Sequence, residues 1–505
     1  MNTNYQKSIK KYIDREEGKP VCNCGIVGVF GSDEAPLISY YSLHALQHRG
    51  QEASGMVSRI FNENRKPVFN VLKGEGLVSE VFDDYDQWGK IIAGNSVIGH
   101  NRYSTTGSSR SRKNIQPFIV NYRLGHLAVA HNGNLTNAGA LRNGLVIEGA
   151  IFQTTSDTEV ILHLIARSKL ENQVDQVIEA LSKVEGAYCV TILTDDKLIA
   201  ARDPFGFRPL SIGKKNGAYI VSSETCAFDI NNAEYIRDVQ PGELIVIDDE
   251  TIKTGNIKSF KISDSPVQKK QCIFEYIYFS RPDSRIYGHN VDKVRRRLGK
   301  ILAKNHPVKD KDGEKVIVIS VPDSSNTAAI GYENQLEKMG VKAKLEIGLI
   351  RSHYIGRTFI RPGQQNREID VRIKFNTVKG VLEGETVVLI DDSIVRGTTS
   401  KQLISLIREA NPKEIHVRIS SPPIMYPCFY GMDFPSKEEL IANKYEGDIK
   451  RIEEYLGVDS LRYLNIDEML EAVYDDVPED FCTACFSGKY PIEVDPSFRK
   501  DIYEE

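Results

Sequence analysis

The stretch TVVLIDDSIVRGTTS, from Thr386 to Ser400, decides the fold of the C-terminal half of this 505-residue chain. Thr386 to Ile390 is an unbroken run of apolar and β-branched residues, the pattern of a strand buried on both faces of a parallel sheet. Asp391 and Asp392 fall where that strand ends. A loop of small and hydroxyl residues follows, with Ser393, Gly397, Thr398, Thr399 and Ser400. Leu403, Leu406 and Ile407 then recur at helical spacing. Strand, tight loop and helix N-terminus in that order make an anion site. The first amides of the helix lack partners within it, and the dipole favours a phosphate there. Gly397 lets the backbone come close to the ligand, and the hydroxyls add donors.

The two acids narrow the ligand. Carboxylates repel a bare phosphate unless they face a sugar diol or a divalent metal. A ribose 5-phosphate with a metal-chelated pyrophosphate satisfies both halves of the loop. A Walker loop is excluded, because GxxxxGK[ST] is absent and the acids come first. The segment resembles the phosphoribosylpyrophosphate (PRPP) loop of type I phosphoribosyltransferases. The resemblance implies that Asp391, Asp392, Ser393, Val395, Arg396, Gly397, Thr398 and Thr399 bind PRPP, with Asp391 and Asp392 also facing its Mg2+.

Length and composition frame the rest. A chain of 505 residues exceeds one core and predicts two to four domains. Its 65 basic and 69 acidic residues leave a net charge of −4, which argues against a nucleic-acid surface spread over the whole protein. No apolar run nears the roughly 18 residues of a membrane span. Residues 1–21 are hydrophilic and lysine-bearing, unlike a secretory signal. Eight cysteines without an export signal point to a nucleophile, metal ligands or core residues rather than a disulfide framework. A cytoplasmic enzyme fits this frame.

Met1 to Val21 shows no core-forming period and carries Gly18 and Pro20, so it reads as a leader. An apolar, glycine-punctuated strand then begins at a cysteine, between Cys22 and Gly31. Cys24-Gly25-Ile26-Val27-Gly28 resembles the start of the class II, N-terminal-nucleophile, glutamine amidotransferases. In that chemistry the free α-amino group of the nucleophile is its base, and an unperturbed pKa near ~7.7–8.0 suits it to move the thiol proton. While residue 23 is attached that nitrogen is an amide, so removal of residues 1–23 is expected. Cys22 is the rival nucleophile, but Asn23 follows it and the Gly-Ile-Val-Gly match belongs to Cys24.

Downstream clusters support the same site. Leu46 to Glu52 (LQHRGQE) and Gly99 to Thr105 (GHNRYST) are polar stretches between apolar runs, and Ala130 to Asn134 (AHNGN) follows another. The resemblance implies that Arg102 grips the glutamine α-carboxylate, a task suited to a guanidinium fork. It implies likewise that the Asn132 side chain and the Gly133 amide form the oxyanion hole. Asp157 opens a helical pattern with Val160, Ile161 and Leu164, and by itself reads as a helix cap or first-turn acid. The resemblance makes it the partner of the glutamine α-amino group. His48, His100 and His131 sit in these motifs at no metal-binding spacing and read as structural hydrogen-bonders. Cys189 and Cys226 read as buried small hydrophobes. Apolar runs at Tyr188–Leu193, Leu198–Ala201, Tyr219–Ser222 and Leu244–Ile247 continue an αββα-type sandwich to about residue 260. Arg202 to Gly206 (RDPFG) and Pro241-Gly242 are further turns that resemble this family's.

Lys258 to Lys270 is polar, lysine-rich and contains Pro266, so it reads as the linker. Runs at Val316–Ser320, Lys344–Ile350, Thr386–Ile390 and Ile415–Ser420 then alternate with helical stretches. They predict a parallel α/β sheet with its ligand at the carboxyl ends of the strands. Pro322 to Ser325 (PDSS) lies at one such end. Tyr354 to Gln365 (YIGRTFIRPGQQ) is long, basic and unperiodic, as a lid would be. Four further cysteines remain: Cys272, Cys428, and the CxxC pair Cys482 and Cys485. One CxxC with two singles leaves zinc, a redox dithiol and an iron–sulfur cluster open.

Cys272 to Ser284 (CIFEYIYFSRPDS) resembles the join between domains in the amidophosphoribosyltransferases. From Cys24 to Pro491 the two motif sets stand in that family's order. The resemblance implies an N-terminal-nucleophile αββα sandwich (residues 24–262, after a leader, 1–23) and a type I phosphoribosyltransferase parallel-sheet domain (263–505) with a cluster-binding tail. It implies Ser325 as a Mg2+ contact, Arg357 as a pyrophosphate contact, and Cys272, Cys428, Cys482 and Cys485 as ligands of a [4Fe–4S] cluster. The implied substrates are glutamine and PRPP. The implied products are 5-phosphoribosylamine, glutamate and pyrophosphate, in the first committed step of purine synthesis. Purine-nucleotide feedback inhibitors and a homotetramer are implied as well, with neither nucleic acid nor membrane as partner. A class II amidotransferase with a sugar-isomerase or synthetase domain is disfavoured by the PRPP-like loop. A DNA-binding PRPP sensor is disfavoured by the intact Cys24 motifs and the lack of a basic helix-turn-helix.

Overall fold

A computed structural model describes residues 24–103, 112–263, 268–309, 313–352, 374–434, 436–473 and 477–494. The expected leader 1–23 and the expected lid at 354–365, with Arg357, lie outside these residues.

Period-two alternation builds the N-terminal half. Strands β1 (Gly25–Phe30), β2 (Ala53–Phe61), β3 (Pro67–Glu75) and β4 (Ser96–Arg102) belong to one antiparallel sheet, and β5 (Phe118–Tyr122), β6 (Gly125–Leu135), β7 (Gly186–Thr194) and β8 (Lys197–Arg202) to a second. The chain returns to the first sheet with β9 (Ser211–Lys215), β10 (Ala218–Ser222) and β11 (Glu234–Asp238), in the order β11-β9-β10-β1-β4-β2-β3. Strands β12 (Glu243–Asp248) and β13 (Lys258–Lys261) complete the second, ordered β13-β12-β8-β7-β6-β5. Along β6, Leu127 and Val129 face the helices Thr158–Arg167 and Gln173–Leu181, while Ala128 and Ala130 face the other sheet. Along β1, Ile26 and Phe30 point to that same intersheet layer, and Val27 and Val29 pack under the helix Ala35–Ala45. The result is the expected αββα sandwich. One expectation is corrected: Lys258–Lys261 is not linker but the edge strand β13, with Phe260 opposite Leu244. Charged residues are what a sheet edge selects, which is why this strand reads as polar linker.

The second half begins with β14 (Gln271–Cys272) and the short ladder of β15 (Arg285–Ile286) with β16 (His289–Asn290). Strands β17 (Val316–Ser320) and β18 (Ala343–Leu345) start a parallel sheet, and β19 (Leu349–Arg351) pairs antiparallel with β20 (Phe375–Thr377) outside it. With β21 (Thr386–Asp391), β22 (Glu414–Ile419) and β23 (Ser460–Tyr463) the parallel sheet reads β18-β17-β21-β22-β23. Finally β24 (Phe481–Cys482) returns to pair with β14. Val388 and Ile390 of β21 pack on the face carrying helices Val291–Asn305 and Asn326–Lys338, and Val387 and Leu389 on the face of helix Thr398–Arg408. Both faces of β21 are thus buried. The single strand expected over Lys344–Ile350 is instead two, β18 and β19 in different sheets. Gly348 between them backs onto Ile319, where a Cβ would lie 2.6 Å from that side chain, so the chain leaves the ladder there.

Two candidate active sites and a cysteine basin

Cys24 is buried beside the end of β4, because β1 and β4 pair with Gly25 opposite Asn101. Its Sγ donates to the Tyr103 carbonyl at 3.4 Å. Burial pushes the thiol up to about 11, against the opposing influence of the Tyr103 contact and the Arg102 charge. Cys24, Arg102, Tyr103, Asn114, Gln116, His131, Gly133, Ser156 and Asp157 line one cavity. Asn132 also lies on β6, between His131 and Gly133. Its side chain is fully buried, and neither its Nδ2 nor its Oδ1 has a hydrogen-bond partner among the described residues. Gly133 adopts φ +148°, and a Cβ there would lie 1.9 Å from the Ala187 carbonyl oxygen, so only glycine fits.

Asp157 stands at the N-cap position of helix Thr158–Arg167 but makes no side-chain cap bond. Its Oδ2 accepts from the Leu135 N–H at 3.0 Å instead, and Oδ1 lies 3.6 Å from His131 Nδ1. Burial raises its pKa, yet His131 and backbone donors outweigh that and hold the carboxyl below the usual range. Asp157 thus holds the cap position while its carboxylate is turned to Leu135 and His131. The histidines are hydrogen-bonded: His48 Nε2 pairs with Glu224 at 2.7 Å, and His131 Nδ1 lies 3.1 Å from Thr158 Oγ1. His100 Nε2 lies 3.2 Å from the His131 carbonyl. Burial, then Arg102 and His131, push His100 down to about 3, so it stays neutral. Cys189 and Cys226 are buried, and burial raises both thiols. Sequence reasoning missed Gln116, whose Oε1 accepts from the His131 N–H at 2.7 Å and whose Nε2 donates to Thr158 at 3.1 Å. It lies in an irregular loop with no periodic signal.

The second site forms at the carboxyl ends of β17 and β21, where Ser320 is in register with Ile390. Asp391 and Asp392 are both buried. Ser325 Oγ donates to Asp391 at 3.1 Å, Ser324 Oγ to Asp392 at 2.6 Å, and Ser393 Oγ to the other Asp392 oxygen at 2.7 Å. Ser325 and the acid pair thus meet across neighbouring strands, and Ser324 joins them though only its neighbour is expected there. Gly397, at φ +76°, opens the helix Thr398–Arg408 without a side-chain cap, and a Cβ on it would lie 2.3 Å from Ile441. The Val395 carbonyl accepts from the Ile441 N–H at 2.8 Å, which ties the loop to the next segment. Arg396 reaches outward to Glu439 at 3.3 Å. Thr398 and Thr399 form the first turn of the helix.

The remaining four cysteines converge. Cys272 and Cys482 are register partners of the parallel pair β14 and β24. The Cys485 carbonyl accepts from Met425 and Tyr426 N–H groups, each at 3.0 Å, which brings the tail to the loop of Cys428. The Tyr430 N–H donates to Cys428 Sγ at 3.3 Å, and Cys272 Sγ lies 4.0 Å from Met432 Sδ. Burial, then the neighbouring Cys272 and Cys428, raise the Cys482 thiol; burial, then the other three thiols, raise Cys485. Among the described residues no three His, Cys, Asp or Glu side chains are gathered tightly enough for a single metal ion.

An N-terminal-nucleophile amidotransferase sandwich, fused to a parallel sheet of the phosphoribosyltransferase kind, is the class that this fold and these sites define. A glutamine amidotransferase domain model matches residues 100–229. Amidophosphoribosyltransferase 1 of Arabidopsis thaliana, a chloroplastic protein, is 47% identical over 95% of this chain and 80% of its own length. Amidophosphoribosyltransferase of Bacillus subtilis is 46% identical over 93% of this chain and 94% of its own length. The structure of glutamine PRPP amidotransferase from B. subtilis with ADP and GMP superposes with a TM-score of 0.83, covering 94% of this chain and 98% of that one at 46% identity. The chain belongs to the amidophosphoribosyltransferase family. Among the described residues no helix is long and apolar enough to cross a membrane.

Proposed function

We propose that the chain hydrolyses glutamine at Cys24 and passes the ammonia to PRPP at the Asp391–Asp392 loop, giving 5-phosphoribosylamine, glutamate and pyrophosphate, the first committed step of purine biosynthesis. The observation that carries this is the pairing of the two sites in one chain that matches its relatives over nearly their whole length. Cys24 Sγ attacks the side-chain amide, and its α-amino group, once free, takes and returns the proton. One fact supports that base: both His131 ring nitrogens are engaged elsewhere, Nδ1 with Thr158 and Nε2 with the Ala187 carbonyl. The unpaired Asn132 Nδ2 is a ready donor for the developing oxyanion, and the Gly133 N–H is assigned as the second. Arg102 and Asp157 answer the two charges of the substrate α-carbon. Ammonium has no lone pair and water dilutes ammonia, so transfer runs through an enclosed passage. The test is Cys24→Ala, which should abolish synthesis from glutamine and retain synthesis from added ammonia.

The same reading assigns Mg2+ to Asp391, Asp392 and Ser325. Two carboxylates with hydroxyl neighbours suit a hard cation. When bound there, Mg2+ would supply positive charge beside the departing pyrophosphate. Arg357 is assigned to the pyrophosphate. Cys272, Cys428, Cys482 and Cys485 are assigned to a [4Fe–4S] cluster. Four soft donors brought together from the join, one loop and the C-terminal segment, three of them buried, suit such a centre. The division into leader 1–23, amidotransferase domain 24–262 and phosphoribosyltransferase domain 263–505, a homotetramer, a cytoplasmic setting and purine-nucleotide feedback belong to the same proposal. The B. subtilis relative, complexed with ADP and GMP, supports the last.

A further inference from the structure

The loop Arg202–Pro209 is built more rigidly than a connecting turn requires. Arg202 spends Nε, Nη1 and Nη2 on the carbonyls of Arg208, Val239 and Gly206, at 2.7, 2.8 and 2.7 Å. Asp203 accepts from the N–H groups of Phe205 (3.0 Å), Phe207 (3.2 Å) and Tyr188 (3.2 Å). The Phe207 carbonyl accepts from the Cys272 N–H at 3.1 Å, and its ring stacks on Tyr430 with centroids 4.4 Å apart. All of this fixes Arg208 between the segment that carries Cys272 and the loop that carries Cys428. Arg208 is 1% exposed. Its Nη1 donates to Glu275 at 3.1 Å, and its Nη2 to the carbonyl of Tyr430, two residues beyond Cys428, at 2.8 Å. Its Nε has no hydrogen-bond partner among the described residues.

A buried guanidinium N–H without an acceptor is costly. Its charge is not free either. Glu275 is shared with Arg49, which also holds Glu224, so two arginines and two glutamates form one buried balanced group. The amidotransferase sandwich thereby holds one fixed cation between the segments that carry Cys272 and Cys428.

We propose that Arg208 is the resident counter-ion and N–H donor of the sulfur-rich group held by Cys272, Cys428, Cys482 and Cys485, and that Glu275 sets how much of its charge that group feels. This rests on the iron–sulfur reading of the basin. Hydrogen bonds and nearby charge tune such centres, so Arg208 is a positioning residue whose effect is electrostatic. A cation beside the centre favours the reduced, more negative state. Arg208→Met should therefore lower the reduced-to-oxidised ratio at a fixed potential about tenfold, or about 59 mV for a one-electron couple. Glu275→Gln should raise it.

The experiment is an anaerobic redox titration of the purified full-length protein, followed by visible absorption and electron paramagnetic resonance, with iron analysis. Arg208→Lys, which keeps the charge but loses Nε, should shift in the Arg208→Met direction by less, and it carries the test if Arg208→Met does not fold. Opposite shifts for the Arg208 and Glu275 variants, with normal iron content, support the proposal. Iron-loaded variants that titrate like wild type, or that all shift one way, overturn it. Wild-type protein without iron overturns the reading of the basin, and the proposal with it.

Discussion

Asn132→Ala separates catalysis from stability more sharply than any other single change. In the wild type both polar atoms of this side chain are buried and unpaired among the described residues. Burial of an unmade hydrogen-bonding group costs about 1–3 kcal/mol, so its removal relieves strain in the resting protein. The cavity left by the carboxamide offsets part of that gain, and the net change should be stabilising by up to ~1 kcal/mol. The transition state for glutamine hydrolysis loses a donor instead. Removal of one oxyanion donor lowers kcat by about 10²–10³-fold, or ~2.7–4 kcal/mol. Synthesis from ammonia does not pass through Cys24 and should be unchanged. The assay pairs glutamine-dependent with ammonia-dependent 5-phosphoribosylamine formation, alongside urea unfolding of both proteins. A loss below tenfold with glutamine, an equal loss with ammonia, or a destabilisation beyond ~2 kcal/mol would each refute the oxyanion assignment.

Intact-mass measurement on active protein should show Cys24 as the first residue, because an acylated nitrogen is no base; full activity with residues 1–23 attached would contradict this. Asp391→Asn and Asp392→Asn should each impair synthesis from glutamine and from ammonia alike, since these acids serve the PRPP site. Normal ammonia kinetics in both would remove the loop from the mechanism. Cys428→Ser should lower folded yield and remove brown colour together, measured by metal analysis and visible absorption on anaerobic protein; stoichiometric zinc without iron in the wild type would reassign the basin.

Fold and chemistry were legible to different depths. Val316–Ser320 is a strand with the expected bounds because an apolar run between turn residues leaves few alternatives, and Thr386–Ile390 gains only Asp391. Lys344–Ile350 misled because Gly348 inside the run permits an approach to Ile319 that only tertiary packing reveals. Lys258–Lys261 misled because a charged edge strand and a linker share a composition. In the first site, the motif residues Cys24, Arg102, Gly133 and Asp157 line one cavity, yet Gln116 joins them from a loop with no distinguishing pattern. The buried group of Arg49, Glu224, Glu275 and Arg208 was illegible for a related reason. Arg49 meets Glu224 across 175 residues and Glu275 across 226, and no local period encodes such a meeting.

The central claim is that two sites act as one enzyme. Glutamate and 5-phosphoribosylamine should be measured together in wild-type protein with glutamine and Mg2+, with and without PRPP. The two products should accumulate in equal amounts when PRPP is present, and glutamate release should fall sharply when it is withheld. Glutamate released at the same rate without PRPP, or with no 5-phosphoribosylamine formed, would contradict it.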